Sequence, residues 1–230
     1  MSVSSNKVLF VLTSHDRKGK KPSGFFLSEA SHPHHVLTHG GYEVEFASPK
    51  GGATHVDPDS MDLEDGVNAS FWNNPALRGA VENTKRATDV RAEDYAGIFF
   101  AGGHAAMWDL PDNTELAALT ADIYQHGGIV GAVCHGPAAL VNVKRPDGEY
   151  LVKDLYVAAF TNAEEREVGL DHVVPFMLAD KLVERGAHHD AAPNWQIKVC
   201  VSGRLVTGQN PASATRVGDA MLTMLKNSRH

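Results

Sequence analysis

Apolar residues along the chain fall into two kinds of pattern. Residues 7–13, 97–101, 129–133 and 155–159 are short, nearly unbroken apolar runs of strand length. Such runs suit strands covered on both faces, as in a parallel sheet. Residues 42–47 alternate apolar with charged positions, and residues 197–201 and 204–207 read as a hairpin around Ser202 and Gly203. Between the strands lie helical patterns. Residues 28–39 are closed by Gly40 and Gly41, residues 114–126 are amphipathic, and residues 174–185 stop at Gly186. A last helix is predicted from Asn210 as N-cap and Pro211 at the first helical position to about residue 226. The alternation predicts an α/β fold, a mostly parallel sheet with helices on both faces.

Residues 50–94 break this rhythm, being rich in Gly, Asp, Asn and Pro, with Phe71 and Trp72 as large apolar anchors. So long a connection in a compact domain usually has a function or short helices of its own. It reads as an insertion over one edge of the sheet, a pocket wall or a subunit contact, within one domain spanning residues 1–230. Composition narrows the function further. The net charge is −7 with no basic run, which excludes nucleic acid and anionic membranes as natural partners. The apolar runs are far shorter than the roughly 20 residues of a membrane span. Residues 1–7 lack a signal-peptide core, and two cysteines in dissimilar contexts fit a reducing compartment, so a cytoplasmic location is expected. Neither a dinucleotide fingerprint nor a phosphate loop is present, so no external cofactor is expected.

Candidate chemistry gathers at one corner. Residues 129–140 run Ile-Val-Gly-Ala-Val-Cys-His-Gly-Pro-Ala-Ala-Leu, an apolar strand that stops at Cys134 and His135 before small residues open a helix. A strand turning sharply into a helix lifts the corner residue above the sheet edge, and a helix N-terminus beneath it favours a thiolate. A cysteine in an apolar run is usually core; the adjacent histidine and the glycines single out Cys134. Cys200, in an alternating strand with no helix after it, reads as structural.

In open α/β sheets, ligands bind at the carboxyl ends of strands. Gly102 and Gly103 stand at such an end, where their N–H groups and the one after Cys134 would form an oxyanion hole. The strand at 155–159 leads into Phe160 and two carboxylates, Glu164 and Glu165, either of which could orient His135. Glu29 lies at the start of a helical stretch amid apolar residues; burial there would raise its pKa and let it donate a hydrogen bond to a thiolate. Trp108, Phe160, Tyr156 and residues 50–94 are expected to shape the pocket. His35 and His39 are spaced i, i+4, but no third ligand is specified nearby, and no metal is expected.

Three motifs in order resemble the ThiJ/PfpI superfamily: Ala101-Gly102-Gly103-His104, then residues 132–138, then Gly-Arg-Leu-Val-Thr-Gly-Gln-Asn-Pro-Ala-Ser at 203–213. With residues 24–29 and His32-Pro33, the closer resemblance is to its heat-inducible chaperone and glyoxalase III branch, over residues 5–226 or so. The resemblance implies a flavodoxin-like three-layer sandwich, shared with class I glutamine amidotransferases, and a homodimer. It implies a Cys-His-acid site on Cys134 and His135, with the acid five residues beyond Phe160, at Glu165, and with Glu164 where relatives often have glycine. Glu29 matches the glutamate that contacts the cysteine sulfur. The activity implied is a glutathione-independent glyoxalase, turning the 2-oxoaldehyde methylglyoxal into lactate through a cysteine hemithioacetal. The alternatives are a cysteine-dependent amidase, peptidase or deglycase, and a redox-responsive chaperone.

Overall fold

The computed structural model describes residues 5–228. Ten strands follow in chain order: β1 (Lys7–Val11), β2 (Arg17–Lys18), β3 (Lys21–Pro22), β4 (Glu43–Ala47), β5 (Gly97–Phe100), β6 (Ile129–Val133), β7 (Tyr156–Val157), β8 (His188–His189), β9 (Val199–Ser202) and β10 (Leu205–Gly208). The helices are α1 (Leu27–His39), α2 (Gly66–Trp72), α3 (Pro75–Glu82), α4 (Ala106–Asp109), α5 (Thr114–Gln125), α6 (Asn162–Glu167), α7 (Leu178–Glu184) and α8 (Ala214–Asn227). Six strands make one sheet in the order β4-β1-β5-β6-β10-β9. Every pairing in it is parallel except β9 with β10. This is the flavodoxin-like three-layer arrangement, with one antiparallel strand at its edge.

The period-2 rule of a strand explains why the apolar runs are unbroken. Val8, Phe10, Phe99, Ile129, Val133 and Val206 enter one core, under α1 and α8. Their neighbours Leu9, Val11, Ile98, Phe100, Val130 and Leu205 enter the other, under α5 and α7. The inner strands β5 and β6 thus feed two separate cores and carry no polar side chain. Gly40 and Gly41 end α1, the latter at φ 91°, where a side chain would be strained.

Several expected elements are corrected. The segment after Cys134 is a short 3₁₀ helix, Gly136–Leu140, not an α-helix. The run at 155–159 shrinks to β7, which pairs with β8 outside the main sheet. The helix expected at 174–185 begins at Leu178. Asn210 and Pro211 do stand at the N-cap and first positions, but of a 3₁₀ turn, Pro211–Ser213, that leads into α8, and the Asn210 amide donates to Glu164 and the Gln196 carbonyl instead of capping.

Residues 50–94 carry α2, α3 and three 3₁₀ turns. Backbone bonds stitch this segment to the start of α1, from Phe25 N–H to the His55 carbonyl and from Asp57 N–H to the Phe25 carbonyl. No helix among the described residues is long and apolar enough to cross a membrane.

Candidate active site

The carboxyl ends of β1, β5 and β6 bring the site together, at the point where the sheet order reverses between β1 and β5. Cys134 follows β6 directly and holds φ 60°, one of three described non-glycine residues at positive φ. Bonds on both sides pin this strained corner: its N–H donates to the Gly208 carbonyl at 2.9 Å and its carbonyl accepts from Phe160 N–H at 3.0 Å. Strain that the surroundings fix so firmly is typical of functional corners. Cys134 is buried, at 3% exposure.

His135 turns back toward the sulfur, with Nδ1 3.4 Å from Cys134 Sγ and Nε2 2.7 Å from Glu165 Oε2. Glu165 sits in the first turn of α6 and receives a second imidazole, His104 Nε2, on Oε1 at 2.8 Å. Glu164 is turned elsewhere. It closes a capping box with Thr161 and accepts from Trp195 N–H, Gln209 and Asn210. Glu29, in the first turn of α1, is wholly buried and completes no hydrogen bond with either carboxyl oxygen. The polar groups it feels are the Cys134 thiol and Gly102 N–H.

Charge states follow from these surroundings. Burial pushes Glu29 up to about 8, against the smaller effects of Cys134 and Gly102, so its carboxyl is protonated at neutral pH. Burial, and then His104, press His135 down to about 4, leaving a neutral imidazole. Burial works against a charge on Glu165 too, but the hydrogen bonds from His104 and His135 prevail and hold it at about 2. An ionised carboxylate only accepts, so both Nε2 atoms carry protons and His135 Nδ1 keeps a lone pair for the sulfur. The Cys134 thiol is pushed well above the usual range by burial and by Glu29. The segment expected to act on it as a helix N-terminus is only the short 3₁₀ turn at Gly136–Leu140.

The glycines divide. Gly103 lines the pocket at φ 109°, where a Cβ would lie 2.3 Å from the Gly24 carbonyl oxygen. Gly102 does not line the pocket; its N–H faces Glu29 rather than an oxyanion. The His135 N–H is directed at the Cys134 sulfur.

The cavity over the sulfur measures about 240 Å³. Phe26, Phe160, Val168, Leu170 and Trp195 form its apolar walls, and Lys18, Lys21, Asp57 and Asp59 its polar rim. Phe160 stands where expected, its ring 4.5 Å from that of His135. Trp108 does not line the cavity: it stacks on His15 at 5.5 Å and packs against the core beneath α5. Tyr156 is exposed, its ring tilted against that of His188. Sequence reasoning missed His104 as a partner of Glu165; its place after a strand-end glycine pair put it at the right end of the sheet but did not show the contact. Nothing in the sequence marked Trp195.

His104, His135 and Glu165 also offer three metal-ligand atoms within 4.8 Å of one another. The contacts of 2.7 and 2.8 Å between them are hydrogen-bond lengths. Two ligands on one tetrahedral ion at about 2.0 Å would stand roughly 3.3 Å apart. A cation would have to break both hydrogen bonds to enter, so the trio fits a proton network better than an ion.

Residues 22–224 match the DJ-1/PfpI family profile. The chain is 34% identical to a protein named glutathione-independent glyoxalase hsp3102 of Schizosaccharomyces pombe, over 89% of this chain and 90% of that one. It is 34% identical to glyoxalase 3 of Candida albicans, over 94% and 97% of the two chains. Among solved structures, the rapid encystment protein of 24 kDa from Francisella tularensis superposes with a TM-score of 0.92 at 40% identity, covering 95% and 98%. Glyoxalase III from Candida albicans superposes with a TM-score of 0.88 at 30% identity, covering 95% and 96%.

Proposed function

The chain belongs to the DJ-1/PfpI family, and on that premise we propose that it is a glutathione-independent glyoxalase converting methylglyoxal to lactate on Cys134. The observation that carries the reading is the strained Cys134 corner, with His135 Nδ1 on one side of the sulfur and the protonated Glu29 carboxyl beside it.

At neutral pH the thiol is protonated, so attack needs a base, and His135 Nδ1 is the free lone pair beside it. As sulfur bonds to C1 of the aldehyde, the thiol proton passes through His135 to the former aldehyde oxygen, giving a hemithioacetal. Glu165 holds the His135 tautomer and offsets its transient positive charge. His135 then moves the C1 proton to C2 through an enediol. C1 is oxidised as C2 is reduced, and the lactoyl thioester that results needs only water to release lactate. Gly103, which lines the cavity, offers its N–H to the oxyanions along the way. A cavity of about 240 Å³ with apolar walls suits a three-carbon oxoaldehyde and is cramped for a peptide, which favours the glyoxalase over the amidase reading.

The test is methylglyoxal consumption without glutathione. The wild-type protein should consume it with lactate as product, and Cys134→Ala should lose essentially all turnover. No consumption by the wild type, or an equally active Cys134→Ala, would overturn the assignment. The reading extends to a homodimer, to be checked by light scattering at assay concentrations.

A further inference from the structure

Holding His135 takes one oxygen of Glu165, yet Glu165 binds two imidazoles. His104 occupies the second oxygen, and its surroundings differ from those of His135. Both residues line the cavity, but the His135 side chain has no exposure, while that of His104 is 15% exposed. His135 is enclosed between the rings of His104 at 4.1 Å and Phe160 at 4.5 Å, with its Nδ1 committed to the sulfur. His104 gives its Nε2–H to an ionised carboxylate, so in its neutral form the lone pair is on Nδ1. Among the described residues no group hydrogen-bonds that nitrogen.

The reaction proposed above needs a base twice, at two places. The first acts at the sulfur and C1, deep in the site, where His135 stands. The second must act on water that enters by the cavity, and of the two imidazoles only that of His104 is exposed there. We propose that His104 is the base of thioester hydrolysis, acting through Nδ1 on the attacking water; this rests on the glyoxalase reading. The water oxygen bonds to the thioester carbonyl carbon while one of its protons passes to His104. Collapse of the tetrahedral intermediate breaks the C–S bond, and the electron pair returns to the Cys134 sulfur. The proton on His104 then reaches that sulfur, and the other proton of the water leaves as lactic acid ionises. Glu165 thus orients two bases in turn, one for each half of the reaction.

His104→Gln tests this, since the amide can still donate to Glu165 but cannot take a proton. Steady-state turnover should fall by about 10²–10⁴-fold. Mixing with methylglyoxal should give a burst of one equivalent consumed per site and, by intact mass, one lactoyl group on Cys134. The wild-type protein should show neither. In His104→Ala, added imidazole should restore lactate release and clear the adduct, which a purely structural role would not produce. Turnover within threefold of wild type in His104→Gln would overturn the proposal. So would a loss of turnover that leaves Cys134 unmodified, or an adduct that imidazole does not clear. An inactive wild-type protein, by contrast, would overturn the glyoxalase reading itself.

Discussion

At Glu29 a single buried proton links chemistry to stability. The carboxyl holds its proton to about 8 in the folded protein, against an ordinary value of 4.5. The folded chain therefore binds one more proton than the unfolded chain between those values, and stability from this group falls as pH rises through that window. Urea unfolding of the wild-type protein should show this decline between about pH 5 and 8. Glu29→Gln, which keeps the shape without the charge, should flatten it by a few kcal/mol. Activity should fall above pH 8 in the wild-type protein, and the alkaline limb should vanish from the residual rate of the variant. An unchanged limb would show that another group titrates there. Glu29, Cys134 and His135 were legible because a strand end or a following helix marks each one. The choice between Glu164 and Glu165 came from family resemblance, but physics had also written it in the chain. Thr161 and Glu164 stand at capping-box spacing, which commits Glu164 to the helix start and leaves Glu165 free to face His135. That His104 reaches the same carboxylate from 61 residues away was not legible, because no local pattern records a contact across two strand ends.

The corner itself depends on how β6 gives way to the 3₁₀ turn. A Cβ on Gly136 would sit 2.2 Å from the Phe100 carbonyl oxygen, a backbone atom that cannot swing aside. Gly136→Ala should therefore push the turn off β5 and destabilise the fold by about 1–3 kcal/mol, as overpacking does. Because Cys134 and His135 precede the turn directly, their 3.4 Å contact should loosen too. A lower Tm together with a fall in kcat is expected; a normal Tm with full activity would show that the close approach is not needed. The elements read best from sequence were those whose side chains enter a core. The runs in β1, β5 and β6 are apolar on both faces, and α5 carries its own stripe. Misread elements are those that tertiary contacts decide. β7 lies outside the main sheet and pairs with β8, where its Tyr156 is exposed. The turn after Cys134 stays 3₁₀ because the chain is packed against β5 at Gly136, leaving it no room to open into an α-helix.

Across the whole molecule, residues 50–94 reach from the sheet edge to the rim of the cavity, and one buried ion pair ties them there. Lys18 Nζ lies 2.8 Å from Asp57 and 2.7 Å from Asp59, with Lys18 and Asp57 only 7% and 2% exposed. Burial disfavours the ammonium, but the two carboxylates outweigh it and hold its pKa above the ordinary value. Asp57 also accepts from Ser23 and from Asp59 N–H, so its charge organises the rim. Lys18→Met would leave that carboxylate buried without its cation, a loss of about 3–5 kcal/mol in comparable pairs. If the pair fastens the wall over the sulfur, the damage should be local as well as global. Cys134, 3% exposed, should react with a thiol reagent at least tenfold faster in Lys18→Met under native conditions, while Cys200, away from the rim, keeps its rate. KM for methylglyoxal should rise more than kcat falls, since the reacting groups stay in place and only the enclosure loosens. Peptide mapping of the labelled cysteines separates the two cases. Equal acceleration at both would mean general unfolding; acceleration at Cys134 alone would make residues 50–94 the gate through which substrate and water reach the sulfur.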